Sequence, residues 1–259
     1  MSFKEDFQLI KKLSETQSCS GNENLIREAI KERVSQYCDK IEEDVLGNLF
    51  CHINGKAPSK NGKLKILLDA HMDEIGFMVR VIDKKGFIRF SQVGGHNPRI
   101  LPGQKVTIHS NSGEDLVGVI GETPIHLLTQ EERKKPIKLE DLFIDAGFSS
   151  GEDLKKYVSI GDYITLKQEC FAFKNEKRIC SKSFDDRAGC FILIKLIEEL
   201  SQLKDKLDKD LIFQFATQEE IGVRGATVGT YRITPDLAII VEVTHAIDFP
   251  GISSDKFYE

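Results

Sequence analysis

The chain has 259 residues, of which 40% are hydrophobic and 30% charged, and a formal net charge of −5. That length and composition suit a globular protein of one large or two modest domains and exclude a disordered or fibrous one. The acidic balance argues against nucleic acid as a partner, because binding phosphates needs a basic surface.

The opening run Met1-Ser2-Phe3-Lys4-Glu5-Asp6 is charged and lacks an apolar core, so no secretory signal is visible. No apolar stretch approaches the ~18 residues that a spanning helix needs. The expectation is a cytoplasmic protein with no membrane partner. Its six cysteines (Cys19, Cys38, Cys51, Cys170, Cys180 and Cys190) form no C-x-x-C pair and read as reduced thiols, not a structural zinc site.

The first forty residues read as two amphipathic helices. In the second, Leu25, Ile26, Ala29, Ile30 and Val34 recur at helical spacing, and Ser20 with Glu23 makes a capping box. Residues 48–53 and 65–69 read as strands, the latter almost continuously apolar, as a strand buried on both faces is. From Gly76 to Leu166 the pattern changes to short runs (77–82, 87–90, 105–109, 115–120) separated by Gly, Asn, Asp and Pro, which fits a small β-rich domain. Within it, Arg133-Lys134-Lys135, flanked by Glu131, Glu132 and Glu140, reads as a solvated loop. After Phe184 a helix (188–200) and two strands (211–216 and 238–243) resume. The expected fold is therefore α/β, with a main layer of residues 1–75 and 170–259 interrupted by an inserted β-rich domain, 76–169.

Four short segments carry acids or histidine at strand ends: Asp69-Ala70-His71-Met72-Asp73-Glu74, Phe184-Asp185-Asp186-Arg187, Thr217-Gln218-Glu219-Glu220 and Val241-Glu242-Val243-Thr244. Ligands of open α/β sheets gather outside the carboxyl ends of the strands, so the four would converge on one crevice. One histidine with several carboxylates is a mixed N/O donor set suited to catalytic zinc, cobalt or manganese. In a pair of adjacent acids, one can bind metal while its neighbour stays free as a base. Taken singly, each has an ordinary reading as a solvated polar residue, and Glu219-Glu220 as a helix start.

Several blocks carry a more specific signal. They are Ser20-Gly21-Asn22-Glu23, Asp44-Val45-Leu46-Gly47-Asn48-Leu49, Ala70-His71-Met72-Asp73-Glu74-Ile75-Gly76-Phe77-Met78-Val79, Val93-Gly94-Gly95 and Gly118-Val119-Ile120-Gly121. They continue with Leu142-Phe143-Ile144-Asp145-Ala146-Gly147, Phe184-Asp185-Asp186-Arg187-Ala188-Gly189, Thr217-Gln218-Glu219-Glu220-Ile221-Gly222 and Arg224-Gly225-Ala226. In these, over nearly its whole length, the chain resembles the tetrahedral (TET) aminopeptidases. That cytosolic family includes glutamyl and deblocking aminopeptidases and some members mislabelled endoglucanases.

The resemblance implies a mixed-sheet metallopeptidase that removes N-terminal residues from peptides with two divalent ions, zinc or cobalt. His71 would bind the first ion, with Asp73 orienting it. Asp185 would bridge both ions, and its bond to Asp186 would be a cis peptide. Glu242, where the family more often has Asp, would complete the first site, and Glu220 would bind the second ion. Glu219 would be the general base toward a metal-bridged water, passing the proton to the leaving amine. Homo-oligomers built through the inserted domain are also implied.

One ligand is wanting. The family draws a last His from a segment after the stretch resembling Asp248-Phe249-Pro250-Gly251, and the chain as given stops at Glu259. The expectation is a protein lacking its C-terminal part, with an incomplete second metal site and weak or no activity. A truncated or split non-catalytic copy is the alternative. His245 is the one other histidine near the site in sequence; His52, His96, His109 and His126 read as surface or packing residues.

Two motifs compete with this reading. His71-Met72-Asp73-Glu74-Ile75 lacks the second histidine of a zincin helix. Gly147-Phe148-Ser149-Ser150-Gly151 matches the nucleophile elbow of a serine hydrolase, yet Ser149 with Glu152 also reads as a capping box for a helix over 152–157.

Overall fold

The computed structural model describes residues 3–59, 62–110, 113–175, 178–247 and 250. Helices α1 (Phe3–Glu15) and α2 (Asn24–Val34) lead into strands β1 (Lys40–Glu43), β2 (Leu49–Asn54) and β3 (Lys65–His71). Next come β4 (Gly76–Ile82), β5 (Phe87–Val93), β6 (Lys105–His109), β7 (Leu116–Gly121), β8 (Phe143–Asp145), the short helix α3 (Gly151–Leu154) and β9 (Tyr163–Leu166). A two-stranded ribbon of β10 (Phe171–Ala172) and β11 (Ile179–Cys180) returns the chain to α4 (Phe184–Leu200), β12 (Asp210–Ala216), α5 (Arg224–Ile233) and β13 (Leu237–Ile240).

Two β-structures result. The first is a five-stranded mixed sheet of order β1-β2-β12-β3-β13, in which β12, β3 and β13 run parallel. Their carboxyl ends therefore share one edge, with Ala216 level with His71. Residues of β3 and β12 alternate between two helical layers. Leu68, Ala70, Phe213 and Phe215 pack with Ile26 and Ile30 of α2 and with Leu193 and Ile197 of α4. On the other face Leu67 and Ile212 pack with Phe50 and with Ile233 of α5. This two-sided burial is why β3 is almost continuously apolar, and each buried aliphatic or aromatic side chain contributes about 1.5–3 kcal/mol.

The strands between Gly76 and Leu166 stay out of that sheet. They close an antiparallel barrel of order β4-β5-β8-β7-β6-β9. Its interior is filled by alternate residues, among them Phe77, Val79, Ile88, Phe90, Val106, Ile108, Ile120, Ile144 and Ile164, the period-2 pattern of strands with one buried face. Closure leaves these strands no free edge. Arg133, Lys134 and Lys135 are exposed as expected, but Arg133 and Lys134 lie within the 3-10 helix Glu132–Lys134, which Lys135 ends. Among the described residues no helix is long and apolar enough to cross a membrane.

Local expectations differ from the structure in three places. Ser20 does not cap α2, because its hydroxyl is drawn to the buried carboxylate of Asp73. Helix α3 is only four residues long, and its cap is Ser150, which accepts from Asp153 N; Ser149 is exposed. The last strand ends at Ile240, although Val241 N still donates to Asp69 O at 2.8 Å. All four residues of β13 are exposed on the sheet's outer edge.

Candidate metal centre

Four segments meet at the carboxyl edge of the sheet. Strand β3 ends on His71, whose Nε2 lies 2.9 Å from Asp185 Oδ1, 3.7 Å from Glu242 Oε2 and 3.9 Å from Glu219 Oε2. Asp185 and Asp186 sit at the start of α4, joined by a cis peptide and with non-helical backbone. Two sets of donor atoms fall within 4.8 Å of one another: His71, Asp185 and Glu220, and His71, Asp186 and Glu242. Both use His71. Asp186 closes the set with Glu242, a place the resemblance assigns to Asp185.

Asp73, fully buried, organises this edge. Its carboxylate stands 3.4 Å from His71 Nδ1, accepts from Ser20 Oγ at 2.6 Å, and takes the amides of Glu219 at 3.0 Å and Glu220 at 3.2 Å. Nδ1 also faces Asp73 O at 3.2 Å, so a proton held there leaves Nε2 free as a donor to metal. Neighbouring Glu74 is buried in an ion pair with Lys182 and accepts from Ser18 N at 3.0 Å, tying the segment after β3 to the one before α4.

The electrostatics are those of crowded carboxylates. Burial, with the charge of Asp185 added, pushes Glu220 up to about 7. Burial with Glu242 nearby pushes Asp186 up to about 8. Glu219 is raised by burial and by neighbouring acids, against the pull of His71. Burial alone would lower the His71 imidazole, but hydrogen bonding to Asp185 and Asp73 outweighs it and carries the group up to about 11. Burial would raise Asp73, yet His71 holds it below the usual carboxylate range. Asp186 Oδ2 is also buried without a hydrogen-bond partner. One imidazole nitrogen among carboxylates, with an orphaned buried oxygen, fits a divalent cation that would displace the imidazole proton and neutralise the repulsion.

One further acid of this edge, Asp69, has no role in the set that the resemblance implies. It is 5% exposed, has an oxygen without a hydrogen-bond partner, and is pushed by burial up to about 7, with His71 pulling the other way. Its signal in the sequence is a lone acid inside the apolar run of β3. His245 is exposed and belongs to neither donor set. His96 stacks on Phe77, and His109 bonds Asp115 and Thr165. His52 faces Glu42 and His126 is exposed. Asp248, Phe249 and Gly251 lie outside the described residues.

A family model, M42 glutamyl aminopeptidase, matches residues 47–257. The chain belongs to that family. It is a metal-dependent aminopeptidase. It is 40% identical over 244 residues to a putative aminopeptidase of Acetivibrio thermocellus, covering 94% of this chain and 68% of the relative. Among solved structures it superposes on an aminopeptidase from the archaeon Desulfurococcus kamchatkensis with a TM-score of 0.90 and 35% identity, over 99% of this chain and 68% of that one. It also matches the Pyrococcus horikoshii TET1 peptidase, which can assemble into a tetrahedron or a large octahedral shell, at a TM-score of 0.80 and 33% identity, covering 93% and 68% of the two chains.

Proposed function

We propose that this M42 aminopeptidase works as a two-ion exopeptidase with Glu219 as its general base. Supporting it most directly is the convergence of donor atoms of His71, Asp185 and Glu220 within 4.8 Å, beside the Glu219 carboxylate, which lies 3.9 Å from His71 Nε2 and in neither donor set. His71 and Glu242 would hold the first ion and Glu220 the second. Asp185 would contribute to both sites, since it lies 2.9 Å from His71 Nε2 and shares a donor set with Glu220. Zinc or cobalt suits one nitrogen among carboxylates. His71 Nε2 can serve only one ion, so among the described residues the second has carboxylates alone and is held more weakly.

When bound, divalent ions polarise the scissile carbonyl and acidify water. Glu219, partly exposed and with a raised pKa, takes the proton of the attacking water and delivers it to the leaving amine. Asp73 keeps His71 in the tautomer that presents Nε2. The acidic edge attracts the free ammonium of a peptide N-terminus, which selects exopeptidase action.

We assign residues 1–75 and 170–259 to catalysis and the barrel region, 76–169, to assembly of a homo-oligomer. Exposed apolar residues in that region, Ile100, Val117, Val119, Ile125 and Leu127, support an assembly role. All six cysteines are free, in keeping with a reducing cytoplasm. The test of the base is Glu219→Gln. Hydrolysis of an aminoacyl-anilide should fall by ~10²–10⁴-fold with metal content unchanged, and a fully active variant would remove Glu219 from this role.

A further inference from the structure

The turn that carries the base is held in an unusual way. Four consecutive backbone amides of residues 217–220 each end on a side-chain oxygen supplied by a distant segment. Thr217 N donates to Asn48 Oδ1 at 3.0 Å, and Gln218 N to Glu23 Oε1 at 3.1 Å. Glu219 N and Glu220 N donate to the two oxygens of Asp73. Asp73 also faces His71, but Glu23 and Asn48 touch no metal donor set. Both are buried, Glu23 at 4% exposure and Asn48 at 0%.

Glu23 stands at the N-cap position of α2, where its carboxylate would ordinarily serve its own helix. It makes no capping bond there. Its Oε1 takes Gly21 N at 2.7 Å and reaches across to Gln218. Burying a carboxylate is costly unless its hydrogen bonds repay it, and these are the bonds it makes. Gln218 needs such a partner, for its φ of 54° lies in the left-handed region that non-glycine residues seldom occupy. Were Gln218 to leave that region, the peptide planes of Glu219 and Glu220 would rotate, carrying the base and a metal ligand with them. Asn48 fixes the other end of the turn and is itself locked, through Nδ2, to Asp44 Oδ2 at 2.7 Å and Gly225 O at 2.9 Å.

We infer that Glu23 is a positioning residue for the reaction: by holding the amide of left-handed Gln218 it aims Glu219 and Glu220, with Asn48 anchoring the same turn. This rests on the two-ion reading above. The probe is Co²⁺, titrated into the metal-free protein and followed by absorption, together with amide exchange of the peptide spanning residues 217–222. Glu23→Ala should weaken Co²⁺ binding at the Glu220 site by about 10–100-fold, as losses of supporting hydrogen bonds do, and should accelerate exchange in that peptide. Glu23→Gln keeps one amide oxygen for both donors and should restore both readouts to near wild type. Where the alanine variant is too unstable to titrate, Glu23→Asp withdraws the carboxylate by one methylene and should show the same weakening. Wild-type Co²⁺ affinity and exchange in a folded Glu23→Ala or Glu23→Asp protein would overturn the inference, as would a Glu23→Gln protein as impaired as alanine. A wild-type chain that takes up no Co²⁺ would instead refute the metal reading, and amide exchange in the metal-free variants would still decide the role of Glu23.

Discussion

Asp69 offers a substitution that should stabilise the metal-free protein. Its carboxyl is buried in β3 with one oxygen unpartnered and a pKa displaced by burial from the usual 3.8 to about 7. An acid whose folded pKa exceeds its unfolded value opposes folding once pH passes the unfolded value. Stability is then lost as pH rises from about 4 toward 7. At ~1.4 kcal/mol per pH unit, the displacement is worth on the order of 4 kcal/mol at pH 8. An asparagine in its place would keep the shape and shed the charge, while the buried amide retains a cost of about 1–2 kcal/mol. The net gain for Asp69→Asn is therefore about 2–3 kcal/mol at pH 8, shrinking as pH falls and becoming a loss of about 1 kcal/mol near pH 4, where Asp69 is protonated in the folded state and only the amide cost remains. Urea unfolding of both proteins in chelator, at pH values from 4 to 8, measures it. A variant no more stable than wild type at pH 8, or a difference that ignores pH, would refute the electrostatic reasoning.

Replacing Ser149 by Ala should leave aminoacyl-anilide hydrolysis unchanged, because that exposed hydroxyl lies at the turn before α3, where Ser150 supplies the cap; loss of activity would revive the serine hydrolase. On the outer edge of the sheet, Ile239 is 45% and Ile240 60% exposed, in an apolar strand paired on one side by β3 and on the other by no described residue, an edge of the kind that invites edge-to-edge association. Ile239→Lys should lower light scattering at high protein concentration without altering Co²⁺ uptake, and unchanged scattering would show that β13 is not the sticky edge.

The parts of the fold legible in the sequence were those fixed by burial period. The nearly continuous apolar run of β3 reports a strand covered on both faces, and the shift to short alternating runs after Gly76 reports a barrel with one buried face. Local capping patterns misled, because a buried amide or carboxylate outcompetes a helix end. Ser20 and Glu23 have the spacing of a capping box, yet their side chains go to Asp73 and Gln218. Of the site, the acidic segments at strand ends were readable, since topology sends strand ends to one edge. The sequence does not separate the parts of adjacent Asp185 and Asp186, which the non-helical backbone there places in different donor sets, one with Glu220 and the other with Glu242.

Metal stoichiometry joined to activity tests the two-ion account most directly. After equilibrium dialysis against Co²⁺, the protein should hold one tight ion per chain, with a second entering only at higher free Co²⁺. Aminoacyl-anilide hydrolysis should be slow with the first ion alone, rise as the second binds, and vanish in chelator. Retention of no ion by the native protein, or full hydrolysis in chelator, would contradict the account.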